Sequence, residues 1–289
     1  MVRVIWKWYG QIGVPVFLII GGYLFHGSDG EKRTFWKKKF KRLIVPWMIC
    51  GTMPYLLYVF RIRTFNALSW LKWVLGSGTW LYYATIYFCL LILFELFAIH
   101  KNEKALIACI IITALMLTFE AVDSNFGNAV GWFTPYLNIL NWIGFFSLGA
   151  LIKKKNLLEQ ALNQRAVFLS TFVFLLSIYL LYRNWIFTYF HILSALMEYS
   201  AFIILLNISY LLARKPRPLA IKAGESTYFI FLVHMQIVQF LCNRLPDTAA
   251  FDFLRPVVGL VTMMIITFAV EHTCKKSKKL AQIPELIGL

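Results

Sequence analysis

Few side chains in this sequence are equipped for chemistry, and most of them sit in apolar surroundings. His234 closes the stretch Ser226-Thr227-Tyr228-Phe229-Ile230-Phe231-Leu232-Val233-His234. A neutral imidazole can take a proton from a hydroxyl near pH 7, so a desolvated histidine there fits a general base. A histidine satisfied by a neighbouring helix fits the same position. Glu198 lies inside a second apolar stretch, with Asn207 further along it. A buried carboxylate there can orient a catalytic histidine, pair with a basic group, or anchor one helix to another. The run Lys37-Lys38-Lys39-Phe40-Lys41-Arg42 leads directly into Leu43-Ile44-Val45-Pro46. Lys38, Lys39 and Arg42 could clamp phosphate groups, such as those of coenzyme A. The same cluster reads equally as a topology signal or a lipid-headgroup contact. There is no Walker motif, GxSxG, HExxH or Cys/His metal spacing, so metal chemistry and nucleotide hydrolysis have no support.

The elements that would position these residues follow from composition. The chain has 289 residues, 60% hydrophobic and 15% charged, with mean hydropathy +0.68. Soluble domains run near ~45–50% apolar and ~25% charged, and a soluble chain this large has too much surface to cover with so few charges. Soluble enzymes, coiled coils and disordered tails are excluded. The apolar runs are continuous rather than alternating, which argues against a membrane barrel. The expected fold is all-α, a polytopic transmembrane bundle of about nine spanning helices. The nine runs are Tyr9–Phe25, Leu43–Phe60, Thr79–Ile99, Ala105–Phe119, Leu137–Ile152, Ala166–Tyr182, Ile192–Ala213, Ser226–Cys242 and Pro256–Val270. Thr64–Gly78 reads as an amphipathic interfacial piece, and Tyr182–His191 as an aromatic loop at headgroup level. Without internal repeats or low-complexity segments, residues 1–289 are expected to form a single integral membrane domain. The five cysteines show no paired spacing and read as small apolar residues. Glu95, near a run end, reads as structural. His26, His100, His191 and His272 read as interface residues, and Gly21-Gly22 as a site of close helix approach.

The 29 basic and 13 acidic residues leave +16. In a soluble protein that would point to nucleic acid. Here the cations sit in short loops between apolar runs, facing an anionic leaflet, and no nucleic-acid partner is expected. Loops after the odd-numbered runs hold 21 of the 29 basic residues, and the opposite side holds the other 8. This places the odd loops and the C-terminus in the cytoplasm and the N-terminus outside. The protein is expected in the inner (plasma) membrane, in contact with its lipids.

Several segments also resemble, in order, the membrane acyltransferase-3 family, whose members O-acetylate bacterial surface polysaccharides and peptidoglycan. Val14-Pro15-Val16-Phe17-Leu18-Ile19-Ile20-Gly21-Gly22-Tyr23-Leu24-Phe25 resembles the family's VPlFFxISGYL helix. Lys38-Lys39-Phe40-Lys41-Arg42-Leu43-Ile44-Val45-Pro46 resembles its RxxxR loop and RLLIP. Gly78-Thr79-Trp80-Leu81-Tyr82-Tyr83 is similar to its hLWFLyaL helix start, and Phe145-Phe146-Ser147-Leu148-Gly149-Ala150-Leu151-Ile152-Lys153 to its yFlLGallxk. Thr227-Tyr228-Phe229-Ile230-Phe231-Leu232-Val233-His234 resembles its SLGIYLlH helix.

The resemblance implies transfer of an acyl group, commonly acetyl from acetyl-CoA, to a hydroxyl of a cell-surface or lipid-linked glycan. Acetyl-CoA or another acyl-CoA is then a donor substrate, with no bound cofactor. His234 and Glu198 would be catalytic, and Arg42, Lys38, Lys39 and Trp80 substrate-binding. Arg42 maps onto the second arginine of RxxxR. Lys38 replaces the first, keeping the charge but losing the bidentate fork. Phe231 stands where the family has tyrosine. The family's first helix, with its arginine and histidine, has no counterpart before Val14. The resemblance therefore implies a chain that is incomplete as an enzyme, with activity and inactivity as given both left open. The competing class is a non-catalytic membrane protein, a glycan or lipid transporter or an inactive partner subunit. Labelling of a glycan from acetyl-CoA separates the two.

Overall fold

The structure is a computed structural model describing the chain except residues 1, 120–133, 187, 214–217, 243, 245–247 and 276–282. For some further helical residues, 2–10 among them, only the backbone is described. Among the described residues the regular structure is helical, with no strand. The elements are α1 (Val2–Leu24), α2 (Lys32–Lys39), a π-turn (Phe40–Ile44), α3 (Val45–Ile62), α4 (Ala67–Leu75), α5 (Tyr82–Leu96), α6 (Glu103–Thr118) and α7 (Ile143–Lys154). They continue as α8 (Leu158–Ala161), α9 (Gln164–Arg183), α10 (Ile192–Ala213), α11 (Pro218–Glu225), α12 (Thr227–Cys242), α13 (Ala249–Lys275) and α14 (Ile283–Ile287).

Each of the nine apolar runs coincides with a helix, because a chain in hydrocarbon must satisfy its own backbone hydrogen bonds. Among the described residues four helices are long and apolar enough to cross a membrane: Lys32–Arg61, Gln164–Arg183, Ile192–Ala213 and Val257–Cys274. Gln11–Leu24, Tyr82–Leu96 and Thr227–Phe240 are shorter apolar helices. Helix starts follow local side chains. Asn66, Asn102 and Asn163 each turn a side-chain oxygen onto backbone N–H groups of the first turn of α4, α6 and α9. Gly76 ends α4 in the left-handed conformation, φ +87°, where a side chain would be strained. The expected interfacial piece Thr64–Gly78 contains the short, tryptophan-rich α4, and the expected aromatic loop runs between α9 and α10.

The chain divides into two compact units. The first comprises Met1–Arg3, Glu31–Ala84 and Pro216–Leu289, and the second Val4–Gly30 and Thr85–Lys215. The first has a core of Trp47, Cys50, Val74, Leu81, Ala84, Phe229 and Leu232, drawn from α3, α4, the start of α5 and α12. The second contains a cluster of Ile12, Leu181, Met197 and Ala201, joining α1, α9 and α10. It also contains an aromatic trio of Phe25, Phe94 and Phe146, whose ring centroids lie 4.6–6.0 Å apart.

Within the second unit α1 and α7 meet backbone to backbone. A Cβ on Gly22 would lie inside the contact distance of the Phe146 carbonyl oxygen, and one on Gly149 inside that of Ile19. Thr113 of α6 ties the start of α7: its hydroxyl donates to the Leu140 carbonyl at 2.6 Å and accepts the Gly144 N–H at 2.8 Å. Glu95 accepts the Ser28 N–H at 3.1 Å and the Ser28 hydroxyl, and Lys153 donates to the Phe25 carbonyl at 3.1 Å. The chain after α1 is thus pinned from α5 and α7, a structural role for Glu95.

Candidate active site

The basic cluster sits where one helix axis is interrupted. From Lys32 to Arg61 the chain is continuously helical, but Phe40–Ile44 forms a π-turn. Such turns insert an extra residue, are rare, and often mark functional positions because they re-aim side chains. Lys38 before the turn and Arg42 within it are both exposed. Lys39 is half-buried, with its ammonium 5.5 Å from the centroid of the Phe35 ring. Five residues beyond Arg42, Trp47 is buried and donates its indole N–H to the Val74 carbonyl at 3.0 Å. The helix therefore passes from exposed cations to an apolar core within a rise of about 7 Å.

His234 lies on α12 in the same unit. Its Nδ1 is 2.6 Å from the Phe231 carbonyl oxygen. A carbonyl can only accept, so Nδ1 carries the proton and Nε2 offers a lone pair. In the neutral ring this leaves Nε2 as the nitrogen able to accept a proton. The Phe231 ring packs edge-on to Tyr83, at 4.8 Å between centroids.

Trp80 meets the same helix from a different side. Its indole N–H donates to the Leu232 carbonyl at 3.2 Å, and its ring packs edge-on to Trp73 at 5.9 Å. Phe229 and Leu232 point into the core. His234 follows Leu232 by two residues, about 200° around the helix. Trp80 thus grips the backbone of the helix that carries His234, but from the opposite face. Tyr228 fastens the start of α12 to the π-turn, with its hydroxyl donating to the Leu43 carbonyl at 2.8 Å.

Glu198 belongs to the second unit. It is 1% exposed, beside Met197 of the α1–α9–α10 cluster, and its Oε1 has no hydrogen-bond partner among the described residues. Five of the six expected site residues, Lys38, Lys39, Arg42, Trp80 and His234, therefore share the first unit, and Glu198 stands in the second.

Two features of the first unit had no signal in the sequence. Lys222 pairs with Glu271, 49 residues away, and lies over the Phe268 ring at 4.9 Å. Residues 287–289 pack against the core beside Trp47 and Cys50. Neither follows from spacing, because the partners are distant in the chain. Among the described residues no group of three or more His, Cys, Asp or Glu gathers as a metal ion would require.

Strand-free apolar helices, several long enough to span a bilayer, define an all-α membrane protein. Residues 4–272 match the family model described as an acyltransferase domain, and the chain belongs to this acyltransferase-3 family. No curated protein and no solved structure matches it.

Proposed function

We propose that the chain is a membrane O-acyltransferase of the inner membrane, with its C-terminus cytoplasmic. It takes acetyl from acetyl-CoA and transfers it to a hydroxyl of a cell-surface or lipid-linked glycan. The observation that carries the donor assignment is the π-turn. It presents Arg42, with Lys38 one turn earlier, at the entrance of a helix whose next turn is apolar. Phosphates of coenzyme A would meet the cations, and the thioester arm would run toward the apolar side. Arg42 supplies the bidentate fork, and Lys38 supplies charge alone.

In this reading His234 Nε2 takes the proton of the acceptor hydroxyl. The hydroxyl oxygen bonds to the thioester carbonyl carbon, the carbon–sulfur bond breaks, and the thiol leaves with a proton. Trp80 positions α12 rather than touching substrate. Glu198 is the second candidate base, and its exchange separates the two possibilities.

The test uses membranes containing the full chain, with labelled acetyl-CoA and envelope glycan. His234→Ala should lower the rate by about 10²–10⁴-fold at equal protein level, the usual loss for a general acid–base group. Glu198→Gln should leave most of it. Arg42→Ala should raise the KM for acetyl-CoA, and Arg42→Lys should recover part of the loss. Absence of label transfer from the wild-type chain favours the non-catalytic reading. Full activity in His234→Ala rejects His234 as base.

A further inference from the structure

A small cavity opens inside the first unit between the start of α12 and the latter part of α13, lined by Lys222, Ser226, Ile230, Met264, Thr267 and Phe268. Met264, Thr267, Phe268 and Glu271 recur at spacings of three and four, so they share one face of α13. Opposite them, Ser226, Ile230, His234 and Val238 recur every four residues along one side of α12. The two faces meet further along as well, where Val238 lies 3.7 Å from the place a Cβ on Gly259 would take. The cavity wall is polar where burial is deepest. Thr267 is 3% exposed, and its hydroxyl has no hydrogen-bond partner among the described residues. Ser226 is equally buried. At the outer end Lys222 pairs with Glu271 and lies over the Phe268 ring.

Size, charge and polarity select the occupant. The open space is about 10 Å³, and a water needs about 10–15 Å³ with roughly two to four polar partners. Nothing larger fits. The Lys222 ammonium on the wall disfavours a cation. A buried hydroxyl calls for a partner, from protein or from ordered water. A single water bonded to the Thr267 hydroxyl, with Ser226 and Lys222 beside it, meets all of these conditions. His234 stands one turn beyond Ile230. Its ring folds back toward that turn, since Nδ1 reaches the carbonyl of Phe231, three residues earlier. One turn of four residues rises about 6 Å, the length of about two hydrogen bonds. The cavity end of α12 is also the end that Tyr228 ties to the basic π-turn at Leu43.

We propose that the cavity holds one ordered water, and that this water and the Thr267 hydroxyl carry the proton from His234 to the Lys222–Glu271 pair. The proposal rests on His234 being the base. His234 Nε2 takes the acceptor's proton as the ester bond forms and the carbon–sulfur bond breaks. The imidazolium then gives a proton to the chain of hydroxyl and water, each of which passes on one of its own. The last proton leaves to solvent at the Lys222–Glu271 end. The departing thiolate takes one proton from solvent, so none is gained or lost. Thr267 touches neither substrate and acts through His234, as a positioning residue. Without the relay the charged imidazolium stays confined among apolar side chains, which disfavours its formation.

The experiment measures labelled acetyl transfer to envelope glycan, in light and in heavy water, by membranes containing the full chain, Thr267→Val, Thr267→Ser or His234→Ala. Thr267→Val keeps the side-chain shape and removes the hydroxyl. Its kcat should fall about tenfold, less than the ~10²–10⁴-fold loss of the base itself, with the KM for acetyl-CoA unchanged. Its solvent isotope effect should rise above that of wild type, because the interrupted proton transfer then limits the rate. Thr267→Ser should recover both. Loss of packing alone lowers the amount of folded protein and leaves the isotope effect where it was. A Thr267→Val chain with the wild-type rate, or a slower one with an unchanged isotope effect, overturns the relay and leaves His234 as the base. If the wild-type chain transfers no label, or His234→Ala keeps the full rate, the base assignment falls and the relay with it.

Discussion

Replacing Gly22 by alanine tests the closest helix contact in the second unit. The new methyl carbon would stand 2.8 Å from the Phe146 carbonyl carbon, with the oxygen nearer still, against an ordinary approach of about 3.5–4.0 Å. The obstruction is backbone, which cannot rotate away, so α1 and α7 must separate. The same contact seen from the other helix gives the same result. A Cβ on Gly149 meets the Tyr23 nitrogen at 2.7 Å and the Ile19 carbonyl oxygen closer. Overpacking of this sort costs about 1–3 kcal/mol, and a rigid obstruction belongs at the upper end. Taking about 2–4 °C per kcal/mol for a chain of this size, the unfolding midpoint should drop by roughly 6–12 °C in either variant.

Two neighbours act as controls. Gly21→Ala meets the ring of Tyr87 at 2.6 Å, and because a side chain can swing aside the loss should be about 1 kcal/mol. Gly13→Ala has no heavy atom within 4 Å and should be neutral, or gain up to about 1 kcal/mol from helix propensity. Thermal scans of the detergent-purified variants, followed by tryptophan fluorescence, give the ranking. A Gly22→Ala midpoint equal to that of Gly13→Ala would refute the backbone contact.

Thr113→Val keeps the shape of a side chain that is 1% exposed but strands the Gly144 N–H. It should cost about 1–3 kcal/mol, with Thr113→Ser sparing most of it, as read from unfolding midpoints. Trp80→Phe removes the N–H that reaches the Leu232 carbonyl. It should cost about 0.5–1.5 kcal/mol in stability and leave the KM for acetyl-CoA within twofold of wild type. A many-fold rise in that KM at unchanged stability would show that the ring touches substrate.

Much of this protein is set by local composition. Continuous apolar runs must become helices because hydrocarbon offers their backbone no other partner, so all nine runs and their order could be read before any coordinates. Asparagines at 66, 102 and 163 start helices through hydrogen bonds within three residues. The motifs at Val14–Phe25, Lys38–Pro46 and Thr227–His234 were enough to point to the acyltransferase-3 family. Gly21-Gly22 was legible as a close approach, since missing side chains permit nothing else so well. Tertiary structure decided what those residues meet. Hydropathy ranks Phe146 and Phe145 alike, yet only the backbone of Phe146 abuts Gly22. Glu95 and Glu198 are both carboxylates in apolar helices. One is satisfied by Ser28, 67 residues away, and the other keeps an oxygen without a partner among the described residues. Trp80 carries a motif resemblance that points to substrate, but its N–H faces a helix carbonyl across 152 residues. The π-turn at Arg42, the Lys222–Glu271 pair and the lodging of Ile287–Leu289 have no sequence signature. The pair and the lodging are contacts between distant segments, and their energy depends on a geometry that exists only once the helices have packed.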